Sequence, residues 1–200
     1  ITLKDKVSFE KKDCCEWIID GTPTDCVIFG LNHIMKNNKP NLILSGINAG
    51  SNIGDEVSYS GTVAAATEGA LRGINSIALS QFGGNEKVSS YSCSENNCFD
   101  IINHLLNLEI RSPIYFNVNF PLSISDTFKK FSYTKLASQK KSDEIFVNNS
   151  EKSYKLGRML SDYKSTPKTD METLSENNIS ITPLTLDLTN ISLFNDLNKR

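Results

Sequence analysis

Apolar positions along the first two-thirds of the chain switch repeatedly between strand-like runs and helix-like spacing. Residues 16–20 (EWIID) read as a short strand that stops at Gly21. Thr22-Pro23-Thr24-Asp25 then carries the chemistry of a helix start. Thr22 caps, Pro23 suits the first turn because its missing N–H has no partner there, and Asp25 faces the positive end of the dipole. Val27, Ile28, Leu31, Ile34 and Met35 hold helical spacing to about Lys36, and Asn37, Asn38 and Pro40 end it. Residues 41–44 form an apolar run too short for a helix, which predicts a strand feeding a loop that contains Gly46, Gly50 and Gly54. An alanine-rich stretch over 62–72, closed by Gly73, predicts the next helix. A strand is expected over 74–79, an amphipathic helix over 98–108, and a strand over 114–120 ending at Pro121. This alternation with short connections predicts an α/β fold, a Rossmann-like and mostly parallel sheet flanked by helices.

From Ser123 to about Lys168 the pattern changes. Residues 131–136 and 144–147 are short and alternating between polar stretches, which predicts β-hairpins or an extended arm. Residues 169–176 suit a short helix with Thr169 as cap and Glu172 completing a capping box, and 179–184 suit a strand. One domain is expected: a core over about 1–122 plus 178–187, an arm over about 123–177, and a tail over 188–200.

Composition narrows the function classes. The chain has 200 residues, 38% of them hydrophobic, which is enough to build a core. Its 21 basic and 23 acidic residues nearly cancel, which argues against a membrane-surface or nucleic-acid duplex binder held by electrostatics. No apolar run is long enough to span a membrane, and no signal-like segment opens the chain. The five cysteines are odd in number, Cys14 and Cys15 are adjacent, and Cys26, Cys93 and Cys98 form no CxxC pair. Reduced thiols in a cytoplasmic protein are the expectation.

The informative chemistry lies in 45–73, SGINAGSNIGDEVSYSGTVAAATEGALRG. A buried strand delivers a loop of glycine, serine and asparagine, and a helix starts at once. In an open parallel sheet, ligands bind at the carboxyl ends of strands. Glycines such as Gly46 let the backbone approach a ligand, and free N–H groups at a helix N-terminus attract anions. Ser60, Gly61 and Thr62 therefore offer hydroxyls and amides to a phosphate. Asn48 and Asn52 supply neutral oxygens suited to a hard divalent ion or a sugar hydroxyl. Each residue also has a local alternative: Ser60 or Thr62 caps the helix, and the asparagines satisfy their own turn. The glycines fall as GxxxGxxxG with no GK[ST] following, so neither the dinucleotide fingerprint nor the P-loop fits. The two histidines, His33 and His104, lie within predicted helices, and no GxSxG elbow accompanies them, so a Ser-His-Asp triad is not expected.

Three stretches, GTPTDCV (21–27), the 45–73 segment, and SITPLTLDLT (180–189), together resemble the signature motifs of the SurE family, in order and at fitting separations. The resemblance implies a Rossmann-like domain with a protruding hairpin and a C-terminal tail, paired into homodimers or homotetramers through those appendages. It implies a 5′-nucleotidase, a phosphoric monoester hydrolase acting on nucleoside 5′- and 3′-monophosphates with one divalent ion, Mg²⁺ or Mn²⁺. In that family the ion is held by two adjacent aspartates, a serine and the asparagine of SGIN, here Asn48. Ile1-Thr2-Leu3 resembles the segment just after that serine, so the resemblance places the other ligands upstream of Ile1. One neutral oxygen does not hold Mg²⁺, and Asp55, Glu56 and Glu68 are not expected to replace the aspartates. The competing expectation is a non-catalytic nucleotide-binding fragment. A dinucleotide enzyme is a third possibility, which the missing fingerprint disfavours.

Overall fold

The computed structural model describes residues 1–83, 90–110, 113–122, 131–138, 140–161 and 166–199. An antiparallel ribbon comes first, β1 (Phe9–Lys11) against β2 (Trp17–Ile19), and it stays outside the main sheet. Helix α1 (Pro23–Phe29) follows, capped by Thr22. Asp25 accepts the Thr22 N–H at 2.8 Å while Thr22 Oγ1 accepts the Asp25 N–H at 3.3 Å, closing a capping box. The helix is shorter than the apolar spacing predicts. At Gly30 the chain widens into one π-turn, Gly30–Ile34, in which the Met35 N–H reaches the Gly30 carbonyl at 2.8 Å. The wider turn breaks the helical register, so Leu31 is buried while Ile34 and Met35 are exposed.

Strand β3 (Leu42–Ala49) leads through a 3₁₀ turn, Gly54–Tyr59, to α2 (Gly61–Leu71), then β4 (Asn75–Gln81), α3 (Ser92–Leu106) and β5 (Tyr115–Phe120). After β6 (Phe131–Tyr133) come the hairpin β7 (Lys140–Asn148) and β8 (Ser153–Ser161), helix α4 (Asp170–Ser175), strand β9 (Ile179–Pro183) and helix α5 (Ile191–Leu197). The main sheet has the order β3–β4–β5–β9–β6. Strands β3, β4 and β5 are mutually parallel, β9 is antiparallel to β5, and β6 is parallel to β9. This is the expected mostly parallel α/β architecture.

The pleat of β5 divides the core into two layers. Phe116, Val118 and Phe120 face a cluster with Ile77, Leu79, Ile179 and Ile181 that α3 covers with Cys93, Ile101 and Leu105. Ile101 and Leu105 are fully buried, and burial of each such side chain stabilises by about 1.5–3 kcal/mol. Tyr115 faces the other way, into a cluster with Val63, Ala66, Ala70 and Ala78 beneath α2. Gly69 lets α2 lie close against the sheet, since a Cβ there would stand 2.6 Å from Ile43 Cδ1.

Several boundaries differ from expectation. Strand β3 continues past Leu44 to Ala49, and its register against β4 shifts between Ser45 and Asn48. Gly46 makes that shift: its φ is +134°, and a Cβ there would collide with the Leu79 carbonyl oxygen. The peptide bond between Gly46 and Ile47 is cis. Strand β6 belongs to the main sheet, not to the arm, because its alternation pairs with β9. The predicted start of the arm at Ser123 lies outside the described residues. Helix α3 starts six residues before the predicted position, since Cys93 and Asn97 continue its buried row at four-residue spacing. Glu172 accepts the Lys168 N–H at 2.6 Å, one residue before the cap, so the predicted capping box is displaced. Helix α5, within the segment read as a tail, is capped by Asn190 and has no buried residue.

Candidate phosphate site

Ser60 has extended backbone and caps α2, with Oγ accepting the Val63 N–H at 3.1 Å and its carbonyl accepting the Ala64 N–H at 2.9 Å. The N–H groups of Gly61 and Thr62 are the first-turn donors that helix geometry leaves without an intrahelical acceptor. Their position follows from topology. Helix α2 returns from the carboxyl end of β3 to the amino end of β4, so its start lies at the carboxyl edge of the parallel strands, where ligands bind. The macrodipole adds the equivalent of about half a positive charge there. Gly61 is exposed, and a Cβ on it would press to 3.2 Å from Pro23 at the start of α1.

The two asparagines have different places. Asn48 lies opposite Ser80 at the end of β3, partly buried, with Nδ2 donating to the Gly50 carbonyl at 2.9 Å. That bond commits the amide nitrogen to the turn, and Oδ1 remains for a ligand. Asn52 points inward. Its N–H donates to Asn119 Oδ1 at 2.8 Å, its Nδ2 donates to Ser80 Oγ at 2.6 Å, and its carbonyl accepts from Asn117 Nδ2 and Asn119 Nδ2. Asn52 is therefore a scaffold residue that fixes the loop to β4 and β5. Gly46 likewise serves the strand, as its missing Cβ makes room for β4.

Asn117, Asn119 and Asp170 carry no motif signal, yet they hold the site. Asp170 is fully buried, and its carboxylate accepts the N–H groups of Gly54 at 2.7 Å, Ala137 at 3.0 Å and Met171 at 2.9 Å. Burial pushes its pKa up against those three hydrogen bonds. Glu56 is also raised, first by burial and then by the nearby Asp170 charge. Polar asparagines at buried alternate positions of β5 are the one sequence signal for this network.

Two of the three carboxylates weighed as substitute metal ligands, Asp55 and Glu68, are committed elsewhere. Asp55 accepts the Lys140 N–H at 2.8 Å, and Glu68 pairs with Arg72 at 2.7 Å. Among the described residues no three His, Cys, Asp or Glu side chains come together at metal-binding distance. Asn48 alone does not fit a complete divalent-ion site. The histidines lie away from the helix start: His33 stacks with Phe29 at 5.0 Å, and His104 Nε2 is 2.8 Å from the Tyr133 hydroxyl.

Two openings flank the helix start. Ser60 borders a groove of about 930 Å³ lined with Val63, Thr67, Tyr115 and Leu184. Ser58 is shared with a polar cleft of about 500 Å³ where Lys140 Nζ stands 4.7 Å over the Tyr59 ring. A glycine-asparagine loop that ends in an exposed helix start, at the carboxyl edge of an open sheet, is the candidate site of this α/β protein.

The comparisons with known proteins give that class its family. The model of Survival protein SurE matches residues 1–143, and the chain belongs to the SurE family. It is 38% identical to a protein named 5′-nucleotidase SurE from Paramagnetospirillum magneticum, over 94% of this chain and 74% of that one. A protein of the same name from Parvibaculum lavamentivorans is also 38% identical, over 94% of this chain and 70% of that one. The crystal structure of the SurE protein from Aquifex aeolicus superposes with a TM-score of 0.82 at 32% identity, covering all of this chain and 81% of its own. Among the described residues no helix is long and apolar enough to cross a membrane.

Proposed function

We propose that this protein is a nucleotidase, a phosphoric monoester hydrolase that releases phosphate from nucleoside 5′-monophosphates and also from 3′-monophosphates. The name shared by its relatives supports the activity. The observation that carries it in this chain is the start of α2, where Gly61 and Thr62 offer N–H groups at the carboxyl edge of the sheet beside Asn48. The phosphoryl oxygens bind there, held by two amides, the Thr62 hydroxyl and the helix dipole. Those contacts strengthen as charge builds on the equatorial oxygens during hydrolysis, which is the condition for lowering the barrier. Ser60 keeps the helix start rigid, and the Asn52–Ser80–Asn119 network holds the loop that follows Asn48.

Dependence on Mg²⁺ or Mn²⁺ belongs to this proposal, with Asn48 Oδ1 as one ligand. The donor set within these residues is incomplete, so what they supply to the reaction is the binding and charge stabilisation of the helix start. Homodimers or homotetramers are proposed as the assembly, since hairpin β7–β8 leaves Ile145, Phe146, Val147, Tyr154 and Leu156 exposed.

The test is phosphate release from AMP, 3′-AMP and glycerol phosphate by the complete gene product, with either ion or with EDTA. Release from both nucleotides, stopped by EDTA, is expected. Undiminished release in EDTA refutes the ion requirement. AMP binding without any release refutes hydrolysis and selects the binding-only reading.

A further inference from the structure

The ribbon β1–β2 ends in a turn that neither the sheet nor the phosphate site uses. Lys12 N–H donates to the Glu16 carbonyl at 2.9 Å, and Asp13 Oδ1 accepts the N–H groups of Cys15 at 2.7 Å and Glu16 at 2.8 Å. These bonds fix the backbone on both sides of Cys14 and Cys15. Phe9 and Trp17 anchor the ribbon to α1 by packing on Phe29, with ring centroids 4.6 and 5.8 Å away. Both thiols are exposed and free, and their sulfurs are 3.4 Å apart.

That separation selects among the chemistries open to two thiols. Neighbouring Cα atoms stand about 3.8 Å apart across a trans peptide, below the roughly 4.4 Å minimum of ordinary disulfides. A disulfide within the pair is therefore strained and readily reduced. With bonds of about 2.3 Å to each sulfur, as in zinc thiolates, one centre bridging a 3.4 Å gap subtends about 95°. A linear two-coordinate ion with the same bonds needs sulfurs about 4.6 Å apart. A tetrahedral ion needs further protein ligands, and among the described residues no third His, Cys, Asp or Glu joins the pair. The angle and the ligand count suit a pyramidal trivalent centre that brings its own third substituent.

We propose that Cys14 and Cys15 form a chelating dithiol site for a trivalent thiophilic metalloid bearing one organic substituent. With phenylarsine oxide as probe, the two S–H bonds and the As=O bond break and two As–S bonds form. The oxygen leaves as water with the two thiol protons, and nothing is oxidised or reduced. The other cysteines differ in setting. Burial pushes the Cys93 thiol up to about 11 and raises Cys26 and Cys98, and none of these three has a cysteine neighbour in sequence.

Reduced, degassed protein is titrated with phenylarsine oxide and followed by intact mass and by emission of Trp17, the chain's single tryptophan. Trp17 lies two residues from Cys15, so it reports on the turn. One adduct per chain is expected, removable by 1,2-ethanedithiol. Cys14→Ser and Cys15→Ser should each weaken binding by at least about 100-fold, the loss expected when a chelate becomes a single contact. Cys26→Ser and Cys98→Ser should bind as the parent does. Equal binding by Cys14→Ser overturns the proposal, as does loss of the adduct in Cys26→Ser. Absence of any adduct while both thiols react with a thiol reagent also overturns it, and so does recovery of the pair as a disulfide under these conditions.

Discussion

Replacing Asp170 tests whether one buried carboxylate joins the site loop to the neck of the arm. Its Oδ2 holds Gly54, the last glycine of the loop, while Oδ1 holds Ala137 and Met171. Ala137 and Asp170 stand on either side of the hairpin β7–β8, and the Asp170 N–H returns to the Lys135 carbonyl at 3.0 Å. Asp170→Asn keeps one oxygen and turns an NH₂ toward a backbone N–H. At least one hydrogen bond to a charged acceptor is lost, a cost of about 1.5–3 kcal/mol, partly offset by removing a charge that burial disfavours. The net loss is about 2 kcal/mol, or about 4–8 °C in Tm for a chain of this size. Asp170→Ala leaves the buried Gly54 and Ala137 N–H groups and the half-buried Met171 N–H without their acceptor, and about 4 kcal/mol is expected. Urea unfolding followed by circular dichroism measures both values. Hydrogen exchange supplies the specific readout, since the Gly54 and Ala137 amides should lose protection together in Asp170→Asn. A loss below about 1 kcal/mol in Asp170→Ala, or faster exchange at only one of the two amides, refutes the coupling.

Gly69→Ala should destabilise by about 1–3 kcal/mol in the same unfolding assay, because its new methyl meets Ile43 Cδ1 at 2.6 Å. Thr22→Ala should cost about 1 kcal/mol through loss of the α1 cap. The Asp25 carboxylate is held below the usual range, first by the Thr2 N–H and then by the hydroxyl and N–H of Thr22. A lowered folded pKa stabilises above the unfolded value of 3.8 and is lost as pH falls through the folded one. Asp25→Asn should therefore be less stable than the parent at pH 7, and the gap should close in acid. In the phosphate-release assay, Thr62→Val should lower kcat/KM for AMP about 10-fold or more, as expected for a hydrogen bond to a charged group. Unchanged kcat/KM removes Thr62 from the site.

The sequence was most legible where local chemistry decides the outcome. Thr22-Pro23 and Ser60-Gly61 start helices because capping needs only neighbouring backbone, and β5 is readable because Phe116, Val118 and Phe120 recur at every second position and proline stops it. The π-turn after Phe29 was not legible, since the spacing of Val27, Leu31 and Ile34 fits an ordinary helix equally well. The course of β3 beyond Leu44 depended on how closely Gly46 approaches Leu79 in another strand. The role of Asn52 was hidden for a related reason: a loop asparagine looks the same in sequence whether it faces a ligand or two asparagines of β5, some 65 residues away. Long-range partners also explain Asp170, which a capping pattern marks only as the residue after Thr169.

The place of β9 has a consequence for how the protein is made. It lies between β5 and β6 although it follows both in the chain, so β5 keeps an unpaired edge until residues 179–183 emerge from the ribosome. At about 5–20 residues per second, the 59 residues from Phe120 to Ile179 take about 3–12 s to translate. During that interval Phe116, Val118 and Phe120 lie beside an open strand edge, the arrangement that favours pairing with other nascent chains. The phosphate-facing half of the sheet can assemble early, whereas its far half waits for a late strand. Synonymous changes that slow translation between 120 and 179 should therefore reduce soluble yield while leaving the purified protein's stability unchanged.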